Sequence, residues 1–286
     1  MKKLIALLAA TMLVSFAAMA ADDIDGAYTD LKAAMDAKKG PAEIKPLAVA
    51  VLTFAAKTPD DAHAKEVATQ AEYALYTAAL AAQPAEEVDL MAALEGASPK
   101  SEYLATGYSH YLASLAKVAP AKVGPVVDKA LTNFPDNQDL LVAGANNALQ
   151  RQQADRALSL ARRAIASHPK KPEGVDQAAW DRSEAGIVGN MHWIAGVVQG
   201  SKNQFMECDR ELKASLPAIQ GNQGLLGTAY FYLGLCNYQL GRQIVNKAQV
   251  LEGAKYSDLS AAIPGPNQRQ AYNNSQLIKA EAAKMR

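Results

Sequence analysis

Four prolines set the rhythm of this chain. Pro59, Pro99, Pro135 and Pro169 lie 40, 36 and 34 residues apart, and each stands between one pair of helical segments and the next. Proline cannot continue a helix interior, because it lacks the amide donor and its ring collides with the preceding turn. Between the prolines, apolar residues recur at steps of three and four, the period of a helix with one buried face. Strand-like runs that alternate Val, Ile or Thr with polar residues are missing. Alanine, the best helix former, is abundant. Two helices per unit at this spacing describe a helical solenoid, in which each unit buries its apolar face by stacking on its neighbours. The expected fold class is all-α.

The segments follow in order. Asp22–Lys38 and Glu43–Lys57 form the first pair. Thr58-Pro59-Asp60-Asp61 reads as a helix start, with Thr58 as cap and Pro59 in the first turn, leading to Ala82. Pro84–Leu94 is short. Ser98-Pro99 starts a helix to Val118, and Ala121–Asn133, Gln138–Gln150 and Ala154–Ser167 follow. Asp176 caps a long helix to Gly200. Lys202–Leu216 comes next and is closed by Pro217 and Gly221. A helix through Ala229–Gly241 precedes a poor one, Arg242–Glu252. After Pro264-Gly265-Pro266, Gln268–Lys284 is a polar last helix of the kind that caps an open stack.

Ala229–Gly241 carries a more specific pattern. Tyr230, Leu233, Gly234, Asn237 and Tyr238 fall at i, i+3, i+4, i+7 and i+8, on one helical face. A mid-helix glycine costs about 1 kcal/mol relative to alanine, and close passage of a second helix is the usual reason for one. Gly196 occupies the same small site one pair earlier. This spacing resembles the first helix of a tetratricopeptide repeat, built on W-x2-L-G-x2-Y. Ala157, Ala164 and Pro169 match the small, small and proline positions of that repeat's second half. Leu141, Gly144, Ala145 and Ala148 stand as a degenerate first half. The resemblance extends roughly from Ser101 to Gly253.

The resemblance implies a right-handed α-solenoid of antiparallel helix pairs, a superhelix whose concave side holds a peptide or partner segment. It divides the chain into helical pairs over 21–100 (divergent repeats or a cap), repeats over 101–265, and a capping helix over 266–286. Carried over by spacing, the groove-facing places are Asp139, Val142, Asn146, Leu149 and Gln150, then Asn190, Trp193 and Val197, then Thr228, Phe231, Leu235, Tyr238 and Gln239. From these, Asn146, Gln150, Asn190 and Gln239 are the expected amides for a peptide backbone. Trp193, Phe231, Leu235 and Tyr238 are the expected apolar anchors. The alternative is that Trp193, Phe231 and Tyr238 fill the core between repeats.

The N-terminus reads as a leader. Lys2 and Lys3 precede an apolar run from Leu4 to Phe16, and Ala18-Met19-Ala20 is a small-x-small cleavage site, so 1–20 is expected to be a signal peptide cut after Ala20. A periplasmic or secreted protein is expected, with no membrane span. The whole chain has 29 basic and 29 acidic residues, with no strongly basic block, which argues against a nucleic-acid partner. Cys208 and Cys236 are the only cysteines. In an oxidising compartment they can pair; the other reading is two buried thiols acting as small hydrophobes.

Catalytic motifs are missing: there is no H-E-x-x-H, P-loop, G-x-S-x-G or C-x-x-C. His63 lies near Glu66, His168 at a helix C-terminus and His192 beside Trp193, and none has converging ligands in sequence. The acidic pairs Asp22-Asp23, Asp60-Asp61 and Glu86-Glu87 sit at helix starts, where acids are expected. The expectation is a non-enzymatic protein with no cofactor or metal that binds a protein or peptide partner. The alternatives are an assembly subunit of an envelope complex that uses its edges, and an enzyme or ligand carrier with a closed pocket.

Overall fold

The computed structural model describes residues 23–285; the expected leader and its cleavage site lie outside them. Among the described residues the chain is all-α, with thirteen α-helices and no strand. The helices are α1 (Ile24–Asp36), α2 (Pro41–Ala55), α3 (Ala62–Leu80), α4 (Pro84–Ala97), α5 (Glu102–Val118), α6 (Val123–Asn133), α7 (Gln138–Gln150), α8 (Ala154–Ala166), α9 (Gln177–Ser201), α10 (Phe205–Ile219), α11 (Gln223–Gln243), α12 (Lys247–Ala261) and α13 (Gln268–Lys284). A single 3-10 turn, Pro120–Lys122, leads into α6.

The prolines of the period do not enter the first turns. The N-caps of α3, α5 and α7 are Asp61, Ser101 and Asn137, each two residues beyond Pro59, Pro99 or Pro135. Thr58 is therefore not the cap. Asp61 accepts from the Ala64 amide at 2.8 Å, and Asn137 accepts from Leu140 at 3.1 Å. Pro217 does not end α10 but lies inside its last turn, where its missing N–H removes the helical bond to the Lys213 carbonyl four residues back.

One turn recurs. Between α1 and α2, α7 and α8, α9 and α10, and α11 and α12, a single residue takes a left-handed conformation: Lys38, Gln152, Asn203 and Val245. In each case the next amide reaches back five residues to a helix carbonyl. The bonds are Lys39 to Ala34, Gln153 to Ala148, Gln204 to Gln199 and Asn246 to Gly241. This is the Schellman termination. In the last three turns the same residue then serves as N-cap of the returning helix.

The last pairs are held by glycine. A Cβ on Gly241 would lie 2.6 Å from the Val250 nitrogen, one on Gly234 2.5 Å from Ser257 Oγ, and one on Gly227 3.2 Å from the Ile263 side chain. These contacts climb α12 as they descend α11. Gly253, on the helix expected to be poor, is part of the closest approach, and Asn246 caps α12 by accepting from Gln249 at 3.1 Å. The α9–α10 pair repeats the pattern, with Gly196 against Leu212 and Gly200 beside Cys208.

Every helix packs on the next, and the odd-numbered helices also touch one another in series from α1 to α13. Of the even-numbered helices, α2 and α4 approach along their backbones, whereas α4 and α6, α6 and α8, and α10 and α12 stand further apart and are bridged by side chains, Lys129 to Glu95, Arg156 to Asp128 and Lys213 to Glu252. Four apolar cores follow along the series. The first runs from Ala27 to Leu140 without a break at Lys100. It includes Tyr108 and Tyr111, whose hydroxyl pKa values burial pushes up, for Tyr111 to about 12. Glu95, buried in α4, accepts from Lys129 at 3.2 Å and from the Tyr108 hydroxyl at 3.3 Å.

Candidate functional site

The most developed depression among the expected groove positions lies between α5 and α7. The α7 sequence divides cleanly by period: Leu140, Leu141, Gly144, Ala145 and Ala148 are buried. Asp139, Val142, Ala143, Asn146 and Gln150 form the opposite stripe and line the cleft. Gly144 allows the buried face to sit deep, since a Cβ there would meet Leu160 at 2.9 Å and Val127 at 3.1 Å. Asn137 ties the start of α7 to α5 by donating from Nδ2 to the Ala105 carbonyl at 2.9 Å.

The facing wall comes from α5. Ser109, Leu112, Ala113 and Ala116 lie at helical spacing, and their small side chains leave the space open. Pro120 and Val123 close one end. The resulting volume is about 380 Å³. The lining is mostly apolar, with amides from Asn146, Asn147 and Gln150 along one side.

Asp139 is the one carboxylate in this lining. It is half-buried, and burial raises its carboxyl pKa above the ordinary aspartate value. Glu184 of α9 raises it further, and His110 of α5 opposes the shift. No Lys or Arg is among the charges that act on it. Glu184 meanwhile accepts from Gln138 Nε2 at 3.0 Å.

Of the residues expected from spacing, the structure brings Asn146 and Gln150 into this cleft, both exposed, together with Asp139 and Val142. Leu149 turns instead into the core of α7, α8 and α9. Asn190 is exposed on α9, and Phe231, Leu235 and Gln239 are half-buried on α11. Phe231 stands edge-on to Tyr232, with ring centroids 5.3 Å apart.

Two expected anchors are not free. Trp193 is half-buried, packs against two successive cores, and donates from Nε1 to the Leu225 carbonyl at 3.0 Å. Tyr238 is 8% exposed and belongs to the core between α11, α12 and α13. Its hydroxyl donates to Glu281 of α13, and Arg242 lies over its ring. The terminal helix covers Tyr238, and the start of α11 engages Trp193. No continuous Trp193–Phe231–Tyr238 patch forms.

Cys208 and Cys236 are joined as a disulfide between α10 and α11, with Cα atoms 6.6 Å apart. A second cleft, of about 540 Å³, lies where α9 crosses α10 and is lined by Arg182, Gly186, Gly189, His192 and Pro217. His192 Nδ1 is engaged with Glu211 at 2.6 Å, and Arg210 reaches the same carboxylate at 2.8 Å. Burial alone would raise the Glu211 pKa, but these hydrogen bonds outweigh it and hold the group below its ordinary value. His63 pairs with Asp25 of α1 at 2.7 Å rather than with Glu66. Among the described residues no group of three or more His, Cys, Asp or Glu side chains converges as a metal site would require, and no helix is long and apolar enough to cross a membrane.

The α5 wall escaped the sequence reading. Its only signal is the run of small residues Ser109, Ala113 and Ala116 beside the aromatic stripe of Tyr103, Tyr108 and Tyr111. No known protein-family model matches the chain, and no curated protein is detectably similar to it in sequence.

Proposed function

We propose that this chain is a non-catalytic, right-handed α-solenoid of antiparallel helix pairs, of tetratricopeptide type, that holds a protein or peptide segment in a concave groove lined by its odd-numbered helices. On this reading it works in the periplasm after loss of its leader. The observation that carries it is the α5–α7 cleft, with Asn146 and Gln150 exposed along an apolar trough. The contact pattern supports the curvature. The backbones of the odd helices approach one another in series, while most even helices are further apart and reach each other through long side chains, and a stack whose members lie closer on one side is concave on that side.

The alternative reading, an assembly subunit that uses its edges, draws on the far end of the chain. Tyr272 and Leu277 of α13 are 58% and 57% exposed. The two readings separate in one experiment. Partner capture from envelope extracts is compared for the wild-type protein, Asn146→Ala/Gln150→Ala and Tyr272→Ser/Leu277→Ser. The groove reading expects loss with the first pair alone, and loss with the second pair alone would replace it by the edge reading.

A further inference from the structure

Resting on the reading that the α5–α7 cleft takes a peptide, we infer that its occupant is an extended segment with a lysine or arginine side chain, whose cation pairs with Asp139 while Asn146 and Gln150 bond the main chain.

The size of the trough fits a short extended segment. Asp139 to Gln150 spans about 16 Å at the helical rise of 1.5 Å per residue, which matches roughly five residues of extended chain. The volume of about 380 Å³ suits a few side chains rather than a folded domain or an inserted helix. Asn146 and Gln150 lie four residues apart on one face, and Asn146 Nδ2 spends one of its two hydrogens on the Val142 carbonyl at 2.9 Å, leaving the other and its oxygen for a guest. Each carries donors and an acceptor, which is the complement of a peptide main chain.

The charge pattern selects the side chain. Asp139 lies in the first turn of α7, where an exposed carboxylate would be stabilised by the helix dipole. Its pKa is instead raised, because burial and Glu184 outweigh that benefit. Ser109, Leu112, Ala113, Ala116, Val142 and Ala143 offer no cation. A half-buried carboxylate under the influence of Glu184, with His110 as the one basic group opposing it and no Lys or Arg, disfavours an anionic guest and favours a cationic one. The apolar walls then accommodate the methylene stem of lysine or arginine while the head reaches the carboxylate.

The test uses three sets of dye-labelled heptapeptides, blocked at both ends. The centre is fixed as lysine, norleucine or glutamate, and the other positions are drawn from uncharged residues. Fluorescence anisotropy is read against the chain lacking residues 1–20 and its variants, with circular dichroism as a check on folding. The lysine set is expected to bind at least tenfold more tightly than the norleucine set, with the glutamate set weakest. Asp139→Asn should bring lysine and norleucine to the same affinity, and Asp139→Glu should restore part of the preference. Asn146→Ala/Gln150→Ala should weaken both sets alike and leave their ratio unchanged. Equal wild-type affinity for lysine and norleucine, weakened by the amide substitutions, would overturn the cation preference and leave the groove reading standing. A lysine preference that survives Asp139→Asn would also overturn it. No binding by any set, or binding indifferent to Asn146 and Gln150, would overturn both.

Discussion

Gly253 of α12 lies against Gly234 of α11: a Cβ placed on Gly253 would sit 2.8 Å from the Gly234 carbonyl oxygen and 2.7 Å from the Tyr238 amide nitrogen. The neighbours are backbone atoms, which cannot swing aside as a side chain can. Gly253→Ala therefore sets an overpacking cost of about 1–3 kcal/mol against a helix-propensity gain of about 1 kcal/mol. A net loss of up to about 2 kcal/mol is expected. Gly186→Ala is the contrast, since its Cβ would meet nothing within 4 Å inside α9. It should gain about 0.5–1 kcal/mol. Urea midpoints of the two variants should move in opposite directions.

Val245 carries strain of a different kind. Its φ is 52°, a left-handed conformation that costs an L-residue about 1–2 kcal/mol and suits a β-branched one least. The side chain is 75% exposed and contributes little packing in return. Val245→Gly is expected to raise stability by about 1 kcal/mol, although glycine adds chain entropy to the unfolded state. An unchanged or lower melting temperature would mean that the turn does not hold this conformation in solution.

The disulfide closes a loop whose ends are 28 residues apart. Loop-closure entropy gives it about 3–4 kcal/mol. Cys208→Ala/Cys236→Ala should lose about that much in denaturant unfolding. Dithiothreitol should destabilise the wild-type protein and leave the double variant unmoved.

Trp193 and Tyr238 should behave as structural residues. Trp193→Ala removes a side chain shared by two cores and should cost about 2–3 kcal/mol. Tyr238→Phe loses a hydrogen bond to a carboxylate and should cost about 1 kcal/mol, with α13 the first segment cut by limited proteolysis. Neither change should alter the affinity of a lysine-centred peptide by more than twofold, provided the variants are folded at the assay temperature.

Asp139 links stability to pH. Its folded pKa is raised by burial first and by Glu184 second, with His110 opposing. The folded chain therefore holds this proton to higher pH than the unfolded chain does, and stability falls as pH rises from the ordinary aspartate pKa through the raised one. Asp139→Asn should be more stable than wild type at neutral pH. That difference should vanish below the ordinary aspartate range. A wild-type and variant pair that stay parallel from pH 3 to 8 would contradict the shift.

Much of the helix order was legible because its signals are local. Pro135 before Gln138, Asp176 before Gln177 and Pro264-Gly265-Pro266 before the last helix mark boundaries that the structure keeps. Thr58 failed as a cap because Thr58 to Asp61 form a turn, with the Asp61 amide donating to the Thr58 carbonyl at 3.1 Å, and the helix starts only after Asp61, which accepts from the Ala64 amide. The site was legible only in part. Repeat spacing places Asp139, Asn146 and Gln150 on one stripe of α7, and one stripe is a property of a single helix. Whether a stripe stays open depends on what packs against it. For Tyr238 that is α13, and for Trp193 it is the Leu225 carbonyl of the next pair. Gly253 shows the same limit: its worth lies in how near α11 passes, which no local pattern encodes.

The unequal contacts of odd and even helices make the chain an asymmetric spring. Bending that draws α4 and α6, α6 and α8, or α10 and α12 together meets long charged side chains that can change rotamer, whereas bending the other way must strain the closer seams that join the odd helices. A guest lodged between α5 and α7 presses on one of those seams. On the proposed reading its arrival would strain that seam first, while the disulfide and the close glycine contacts of α9 to α12 would hold the C-terminal pairs against deformation.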